Sequence, residues 1–315
     1  MGKALEKVVV SIQCMVYNHE PYLRQCLDGF VMQKTNFKFE AIVHDDVSTD
    51  GSVLIIREYA EKYPDIIKPI FETENQYSKR DGSIDRIMNE ACRGKYIAIC
   101  EGDDYWTDPY KLQKQVDFLE ANPDYGMCYT QTQVYNQGKL QFEEVFGGPY
   151  EDFGNIITHN TIPTLTVMVK TDLLRQYVRE ITPSIYNWKM GDYPIWLWFA
   201  YNSKIKFINE VTSVYRVLRN SASHSPNIEH MINFAHSSID IKKFFVLRYN
   251  IFDIDVEYQR MISHLHIVAL YCNFNNYLKI WCEYLFKTPK YILKYKPYKY
   301  LLFFLFPFLK KRYRS

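Results

Sequence analysis

The chain has 315 residues, 47% of them hydrophobic and 23% charged, which is enough apolar material for one large α/β domain with an appendage or for two modest domains. Its formal net charge is only +2, so it lacks the overall basic field of a nucleic-acid-binding protein. Aromatic residues reach 17%, a bias that we interpret mainly as the amino-acid usage of an A+T-rich genome.

The seven cysteines form an odd set without a CxxC pair, and several of them lie within apolar runs. This pattern indicates reduced, buried thiols of a cytosolic protein rather than a disulfide framework or a zinc site. The amino terminus enters a predicted strand at once and has no apolar signal region. No stretch reaches the roughly 18 apolar residues of a membrane span, so we expect a soluble, cytoplasmic body.

Short apolar runs alternate with amphipathic segments over the first 130 residues. The apolar runs predict strands at residues 8–16, 39–44, 66–71 and 96–100. Helical periodicity between and after them predicts helices that begin at residues 20–21, 51, 84 and 108–109 and end near residues 31, 63, 92 and 121. This alternation favours βαβ units and a mainly parallel sheet, in which ligands lie beyond the carboxyl ends of the strands.

From about Gly147 the pattern loosens. Apolar segments remain at residues 164–169 and 205–208, and a helix is predicted to begin near Asp192, between them. After a polar stretch at residues 220–227, residues 228–286 have the pattern of two or three helices rich in Tyr, Phe and Leu. We therefore predict a first domain of residues 1–226 and a helical extension of residues 227–315.

Two acidic clusters follow predicted strands. Asp45-Asp46 ends the second strand, and residues 101–104 (Glu-Gly-Asp-Asp) end the fourth. Crowded carboxylates at a buried strand end repel one another unless a cation or a hydrogen-bond donor satisfies them. No GxGxxG or GxxxxGK phosphate loop is present, and a carboxylate-held Mg²⁺ or Mn²⁺ is the physical substitute if a nucleotide binds here. The simpler alternative for Asp45 and Asp46 is that they cap the following helix.

Four segments, taken in order, resemble inverting glycosyltransferases of family 2. They are residues 9–12 followed by Tyr17-Asn18, residues 45–52, residues 94–97 leading into residues 101–104, and Gly191-Asp192. The resemblance covers roughly the first 220 residues. It implies the GT-A fold, transfer of a sugar from a nucleotide-diphosphate sugar (in our expectation a UDP-sugar) to an acceptor hydroxyl with inversion, and Mn²⁺ or Mg²⁺ as cofactor.

The same resemblance implies roles for individual residues. It assigns nucleotide-sugar binding to Tyr17, Asn18, Asp46, Arg80, Asp103 and Arg216, and metal binding to Asp104, Asp103 and His224. Asp192 matches the catalytic base, which would take the proton of the acceptor hydroxyl, a contribution of roughly 10²–10⁴-fold. On residues alone Asp192 could equally cap its helix. Arg80 could belong to a solvated charge run, and His224 could be an ordinary surface histidine.

The carboxyl-terminal segment, residues 287–315, combines an apolar run with lysines, arginines and tyrosines on both sides. The run, residues 301–309, is broken by Pro307 and is too short to span a bilayer. Such a segment suits the interface of an anionic membrane, and the alternative is that it docks on the protein's own core. We predict peripheral contact with the inner face of the cell membrane, where a glycan or lipid-linked acceptor for cell-surface polysaccharide would lie.

Two competing functions remain open at this point. A sugar-phosphate nucleotidylyltransferase would need a glycine-rich, cationic loop after the first strand, and residues 15–20 contain neither glycine nor lysine nor arginine. A non-catalytic relative that only binds a nucleotide-sugar would have no such requirement. We expect no nucleic-acid partner.

Overall fold

The computed structural model describes residues 7–150, 152–218, 227–251, 255–293 and 295–305. The chain divides into two compact units, the first formed by residues 1–187 and 194–217 and the second by residues 188–193 and 218–315. The predicted boundary at residue 226 falls outside the described residues and stays a prediction.

A mixed sheet forms the first unit. Its described strands are β1 (Val8–Val16), β2 (Lys38–Asp45), β3 (Ile67–Phe71), β4 (Tyr96–Ile99), β5 (Tyr105–Trp106), β6 (Tyr125–Asn136), β7 (Gln141–Phe146), β8 (Met168–Lys170) and β9 (Lys204–Val217). They lie in the order β3-β2-β1-β4-β8-β6-β9-β5, and β7 pairs with β6.

Helices flank this sheet. They are α1 (Glu20–Val31), α2 (Ser52–Lys62), α3 (Gln76–Lys79), α4 (Ser83–Ala91), α5 (Lys111–Ala121), α6 (Phe153–Thr158), α7 (Thr171–Ile181) and α8 (Tyr193–Asn202). Pro21 lies in the first turn of α1, where a backbone N–H would have no acceptor within the helix, so its absence in proline costs no hydrogen bond. The helix predicted to begin at residues 108–109 is α5, and it begins slightly later, at Lys111.

The parallel half of the sheet confirms the strand predictions. β1 pairs in parallel with β2 on one side and with β4 on the other, and β3 extends the parallel set. Beyond β4 the sheet changes direction, because β8 is antiparallel to both β4 and β6. The α/β fold class is therefore confirmed, but the sheet is mixed rather than mainly parallel. Four of its described strand pairs are parallel and four are antiparallel, and the antiparallel strands were not predicted.

Burial of the parallel strands on both faces accounts for their continuous apolar sequence. Val10, Ile12 and Cys14 of β1 are fully buried in the core. The predicted inner face of α1 packs on this core, and Phe30 meets the Trp106 ring edge-on at a centroid distance of 5.0 Å. This packing fixes the carboxyl ends of the strands, where the acidic clusters lie.

The second unit is helical. It contains α9 (Ile228–Arg248), α10 (Val256–Tyr271), α11 (Phe274–Lys287) and α12 (Tyr295–Leu305). The first three confirm the helices predicted for residues 228–286. A separate apolar core joins α10, α11 and α12 through buried residues that include Leu265, Tyr277 and Phe303. Among the described residues, no helix is both long and apolar enough to cross a bilayer.

The buried cysteines agree with the prediction of reduced thiols. Cys14, Cys26, Cys92, Cys100 and Cys128 are buried free thiols, whereas Cys282 is exposed. Burial raises the pKa of the Cys100 thiol to about 11 and that of Cys128 to about 12. These two thiols are therefore uncharged and unreactive at neutral pH.

Candidate active site

The carboxyl end of β1 brings the two acidic clusters to one edge of the sheet. The Gly102 amide donates to the Met15 carbonyl over 3.0 Å. On the other side of the strand, the Asp46 amide donates to the Val16 carbonyl, also over 3.0 Å. The loop after β2 and the acidic loop, which we define as residues 101–104, therefore attach to adjacent residues of one strand.

Asp46 is buried and its carboxylate is fully engaged. Oδ1 accepts the Gln76 amide at 2.6 Å, and Oδ2 accepts the Tyr77 amide at 3.0 Å. The Asn75 side chain also donates to the Asp46 carbonyl at 3.0 Å. Asp46 thus anchors the segment that follows β3, and its predicted contact with a nucleotide base stays a prediction.

Asp45, unlike Asp46, has a carboxylate oxygen that lacks a hydrogen-bond partner among the described residues. Its Oδ2 accepts the Ser48 amide at 3.1 Å, while its Oδ1 is buried without a partner among the described residues. A buried acceptor without a donor is costly, so a ligand N–H at this position would be stabilised. Sequence reasoning treated the pair as one cluster and chose Asp46. The alternation of side chains along an extended strand could have indicated that the two carboxylates point in different directions.

Asn18 holds the loop after β1 against the loop after β2. It adopts a left-handed backbone conformation (φ 56°), which asparagine tolerates better than most residues. Its amide donates to Ser48 Oγ at 2.9 Å, and its Oδ1 accepts the Thr49 amide at 2.7 Å. The neighbouring Tyr17 ring is half exposed and available to a ligand. The binding roles predicted for both residues stay predictions.

The acidic loop is held in place by Arg216. Asp104 is buried, and its Oδ1 accepts the Arg216 amide at 2.7 Å. The guanidinium donates from Nε to the Asp103 carbonyl at 2.8 Å and also to Gln137 and Gln25. Arg216 is therefore committed to the protein's own backbone and side chains, and its predicted role in nucleotide-sugar binding stays a prediction.

Burial and the repulsion between neighbouring carboxylates disfavour the charged form of Asp104 in this loop. Burial, and then the charge of Asp103, raise the pKa of the Asp104 carboxyl well above its usual value. Asp103 Oδ1 is itself buried without a partner among the described residues. A buried carboxylate next to a second one that has an unpaired oxygen is a donor set that a hard divalent cation prefers.

No cluster of three or more His, Cys, Asp or Glu side chains in the described part of the chain forms a complete metal site. A cation at the acidic loop would have the carboxylates of Asp103 and Asp104 as its protein ligands, and phosphate oxygens and water would fill its remaining positions, as they commonly do for Mg²⁺ at nucleotide sites.

His19 lies within the electrostatic influence of both acidic clusters, and it was not singled out from the sequence. Burial lowers the pKa of His19, against the opposing charges of Asp103, Asp50 and Asp45. A Cβ at Gly102 would lie 2.7 Å from His19 Nδ1, which explains the glycine in the acidic loop. The only sequence signal was its position directly after Tyr17-Asn18.

The remaining predicted site residues are Arg80, Asp192 and His224. Arg80 is exposed in a left-handed conformation after α3. Asp192 belongs to the second unit and lies just before α8, where its Oδ1 accepts the Tyr193 amide at 2.7 Å. His224 lies outside the described residues. The roles of all three stay predictions.

The sequence comparison identifies the family. Residues 11–173 match the model of Glycosyl transferase family 2. This match spans more than half of the 315 residues, so the chain belongs to that family. The recognised segment begins in β1 and ends in α7, and it contains both acidic clusters.

Two curated relatives give the range of similarity. An uncharacterised protein of Mycobacterium tuberculosis is 43% identical over 135 residues, which are 42% of this chain and 38% of the relative. The chain thus matches less than half of the length of that relative. The putative teichuronic acid biosynthesis glycosyltransferase TuaG of Bacillus subtilis is 25% identical over 221 residues, 69% of this chain and 82% of the relative.

Two solved structures share the fold. Staphylococcus aureus TarS, residues 1–349 in complex with UDP-GlcNAc, has a TM-score of 0.59 at 16% identity and covers 88% of this chain and 80% of its own. The mannosyltransferase PcManGT from Pyrobaculum calidifontis, in complex with GDP-Man and Mn²⁺, has a TM-score of 0.52 at 16% identity, with 95% and 86% covered. The predicted GT-A fold with additional carboxyl-terminal helices is thereby confirmed.

Proposed function

We propose that the protein is an inverting glycosyltransferase that moves a sugar from a UDP-sugar to an acceptor hydroxyl in cell-surface polysaccharide assembly. The observation that carries this proposal is the attachment of both acidic clusters to the end of β1, through the Asp46 amide and the Gly102 amide. Family membership, the UDP-GlcNAc bound to TarS and the polysaccharide-related name of TuaG support it.

The two clusters have different roles in this proposal. The unpaired Asp45 oxygen and the half-exposed Tyr17 ring receive the nucleoside. Asp103 and Asp104 hold Mn²⁺ or Mg²⁺, which when bound neutralises the charge that develops on the nucleotide-diphosphate leaving group. The Mn²⁺ bound to PcManGT supports this assignment.

Asp192 supplies the base. An acceptor hydroxyl has too high a pKa to attack unaided, so a carboxylate must take its proton as the new bond to the anomeric carbon forms. The bond from that carbon to the diphosphate oxygen breaks on the opposite face, which inverts the configuration. Asp192 lies at a helix start, where the helix dipole favours negative charge.

The donor can be identified by thermal shift with UDP-, GDP- and dTDP-sugars, each with and without Mn²⁺. We expect a UDP-sugar to raise the melting temperature only with Mn²⁺, since at 100 times its Kd a ligand stabilises the folded state by about 2.7 kcal/mol. Release of UDP would then be followed with and without a glycan acceptor. Binding without release would indicate a non-catalytic relative, and pyrophosphate release from UTP and a sugar 1-phosphate would indicate a nucleotidylyltransferase.

Asp192→Asn tests the base. We expect kcat to fall by about 10²-fold, because the amide is far too weak a base to take the proton of the acceptor hydroxyl. The melting temperature should be unchanged, because the amide oxygen can still accept the Tyr193 N–H. If Asp192 is only a helix cap, the variant will keep both its stability and its activity.

The exposed face of α12 supports membrane contact near the acceptor. Phe303 is buried in the core of the second unit, so part of this helix does pack on the protein. Tyr298, Leu302 and Leu305 are exposed at i, i+4 and i+7, which places them on one stripe of the helix. Exposed Lys296 and Lys299 lie in the same helix. An apolar stripe accompanied by lysines suits an anionic bilayer surface, and residues 306–315 of the predicted segment lie outside the described residues.

Charge placed on this stripe should release the protein from membranes. We expect the double variant Leu302→Glu/Leu305→Glu to bind phosphatidylglycerol vesicles at least about tenfold more weakly than the wild type, since each leucine loses its burial in lipid. Flotation of vesicles through a sucrose gradient measures the bound fraction. Leu247→Glu, at an exposed leucine of α9, is the matched control. Equal flotation of the wild type and the double variant would contradict membrane contact through α12.

A further inference from the structure

A basic cavity lies at the opposite end of the sheet from the acidic clusters. Its volume is about 450 Å³, and five cationic side chains line it, contributed by Lys7, Arg93, Lys95, Lys170 and Arg175. Two acidic side chains, Glu120 and Asp172, also line it. The whole chain has a net charge of only +2, so this is a strong local concentration of positive charge.

The topology explains why these residues meet. Lys7 directly precedes β1, and Lys95 directly precedes β4, its parallel neighbour. Lys170 ends β8, which is antiparallel to β4, and it pairs with the first residue of β4. Arg175 follows one turn into α7. The cavity therefore lies at the amino ends of the strands whose carboxyl ends hold the acidic clusters.

Some of these charges are already neutralised. Arg93 pairs with the buried carboxylate of Glu40. Lys95 donates to both oxygens of Glu120, at 2.7 Å each. Because Arg93 and Lys95 are each paired with a carboxylate, they do not contribute to the net positive charge of the cavity.

The hydrogen bonds of Lys170 and Arg175 go to carbonyl oxygens rather than to carboxylates. Lys170 Nζ donates to the Pro123 carbonyl at 2.5 Å, and Arg175 donates to the Asn89 and Cys92 carbonyls at 3.2 and 2.9 Å. Neutral carbonyl oxygens orient these groups without cancelling their charge. The cavity also borders the first turn of α7, where the Thr171 amide already donates to the Lys95 carbonyl at 3.0 Å and Asp172 supplies the negative charge that the helix dipole favours.

The cavity is separate from the proposed donor site. Six residues separate Lys95 from Glu101, and at about 3.3 Å per residue an extended chain of that length spans roughly 20 Å. A diphosphate held at the acidic loop is therefore out of reach of Lys170 and Arg175.

We propose that this cavity is a second ligand site, which binds a phosphate-bearing anion of the size and charge of a diphosphate. Lys170 and Arg175 form no ion pair with a carboxylate of the described residues, and Lys7 adds an exposed third cation. Asp172 is the one lining acid outside the two ion pairs, so the lining stays cationic. The ligand is a soluble diphosphate or the phosphate of a lipid headgroup, which present the same chemistry to these groups. This site is independent of the transfer reaction.

Inorganic pyrophosphate, titrated calorimetrically into the full chain in EDTA, tests the proposal. Without a divalent cation the acidic loop repels this probe, so binding reports on the basic cavity. We expect one equivalent to bind, with an affinity that falls as NaCl is raised, and to bind about tenfold more weakly to Lys170→Gln/Arg175→Gln. Glutamine retains an amide donor for the carbonyl partners, and an unchanged melting temperature confirms that the variant is folded.

Lys62→Gln, at an exposed lysine of α2 away from the cavity, is the matched control and should bind like the wild type. Displacement of pyrophosphate by phosphatidylglycerol vesicles, but not by phosphatidylcholine vesicles, would identify a lipid headgroup as the ligand. If pyrophosphate stays bound in the presence of phosphatidylglycerol vesicles, the ligand is a soluble diphosphate. Absence of binding to the wild type, or equal affinity of the wild type and the double variant, would overturn the proposal, and neither result depends on transferase activity.

Discussion

Asp104→Asn is expected to lower the rate of sugar transfer by about 10³-fold, comparable to the loss of a main electrostatic group in other active sites. The substitution removes the charge from the centre of the acidic loop but preserves its shape, since an amide oxygen can still accept the Arg216 N–H. Release of UDP at saturating donor and Mn²⁺ measures the effect. A rate within threefold of the wild type would show that Asp104 has no part in the chemistry.

The stability of this variant should change in the opposite direction. Burial and Asp103 raise the pKa of Asp104, so the folded protein binds this proton more strongly than the unfolded chain does. In EDTA the wild type therefore loses stability as the pH rises from the unfolded pKa of about 3.9 through the raised folded pKa. Asp104→Asn lacks this loss and should melt at an equal or higher temperature at pH 7, with the difference shrinking towards pH 4. A lower melting temperature at pH 7 would mean that the carboxylate is satisfied without a cation.

Gly94→Ala is expected to destabilise the first unit by about 3 kcal/mol, near the upper end for overpacking a core. A Cβ at this position would lie 2.5 Å from the Ser11 amide nitrogen and within 2.8 Å of backbone atoms of Val10 and Tyr96. Backbone atoms of two paired central strands cannot move aside as a flexible side chain can. For a unit of about 200 residues the melting temperature should fall by roughly 6–12 °C.

Gly148→Ala is the control for this substitution, because a Cβ there meets nothing within 4 Å. Its effect should stay within about 0.5 kcal/mol. If the two alanine variants unfold at the same temperature, the close approach at Gly94 does not determine the stability of the sheet.

The sequence predicted the parallel half of the fold well because its signals were strong. β1, β2 and β4 are buried on both faces and stand out as apolar runs, and helical segments with clear apolar stripes follow them. The antiparallel half gave weaker signals. β5 has two residues and β8 has three, too few for any periodicity. β6 lacks the alternation of a half-buried strand, because residues 125–129 are mostly apolar and residues 130–133 are all polar.

The site was predictable in outline but not in detail. Composition and position located both acidic clusters at strand ends, yet they did not reveal which carboxylate oxygens the protein satisfies itself. Both carboxylate oxygens of Asp46 accept backbone amides, whereas Asp45 and Asp103 each have one buried carboxylate oxygen without a partner among the described residues. Those differences arise from loops that meet only in three dimensions, as does the burial of His19 against Gly102.

The hydrogen bond from the Arg216 amide to Asp104 affects how the protein can be divided. The segment that identifies the family ends at residue 173, but the donor for its buried carboxylate comes from residue 216. The same arginine ties the acidic loop to Gln25 and Gln137. The segment that matches the family model is therefore shorter than the segment that holds the acidic loop in place. A fragment or chimera that ends soon after residue 173 would match the family model but would lack the Arg216 hydrogen bonds to the acidic loop.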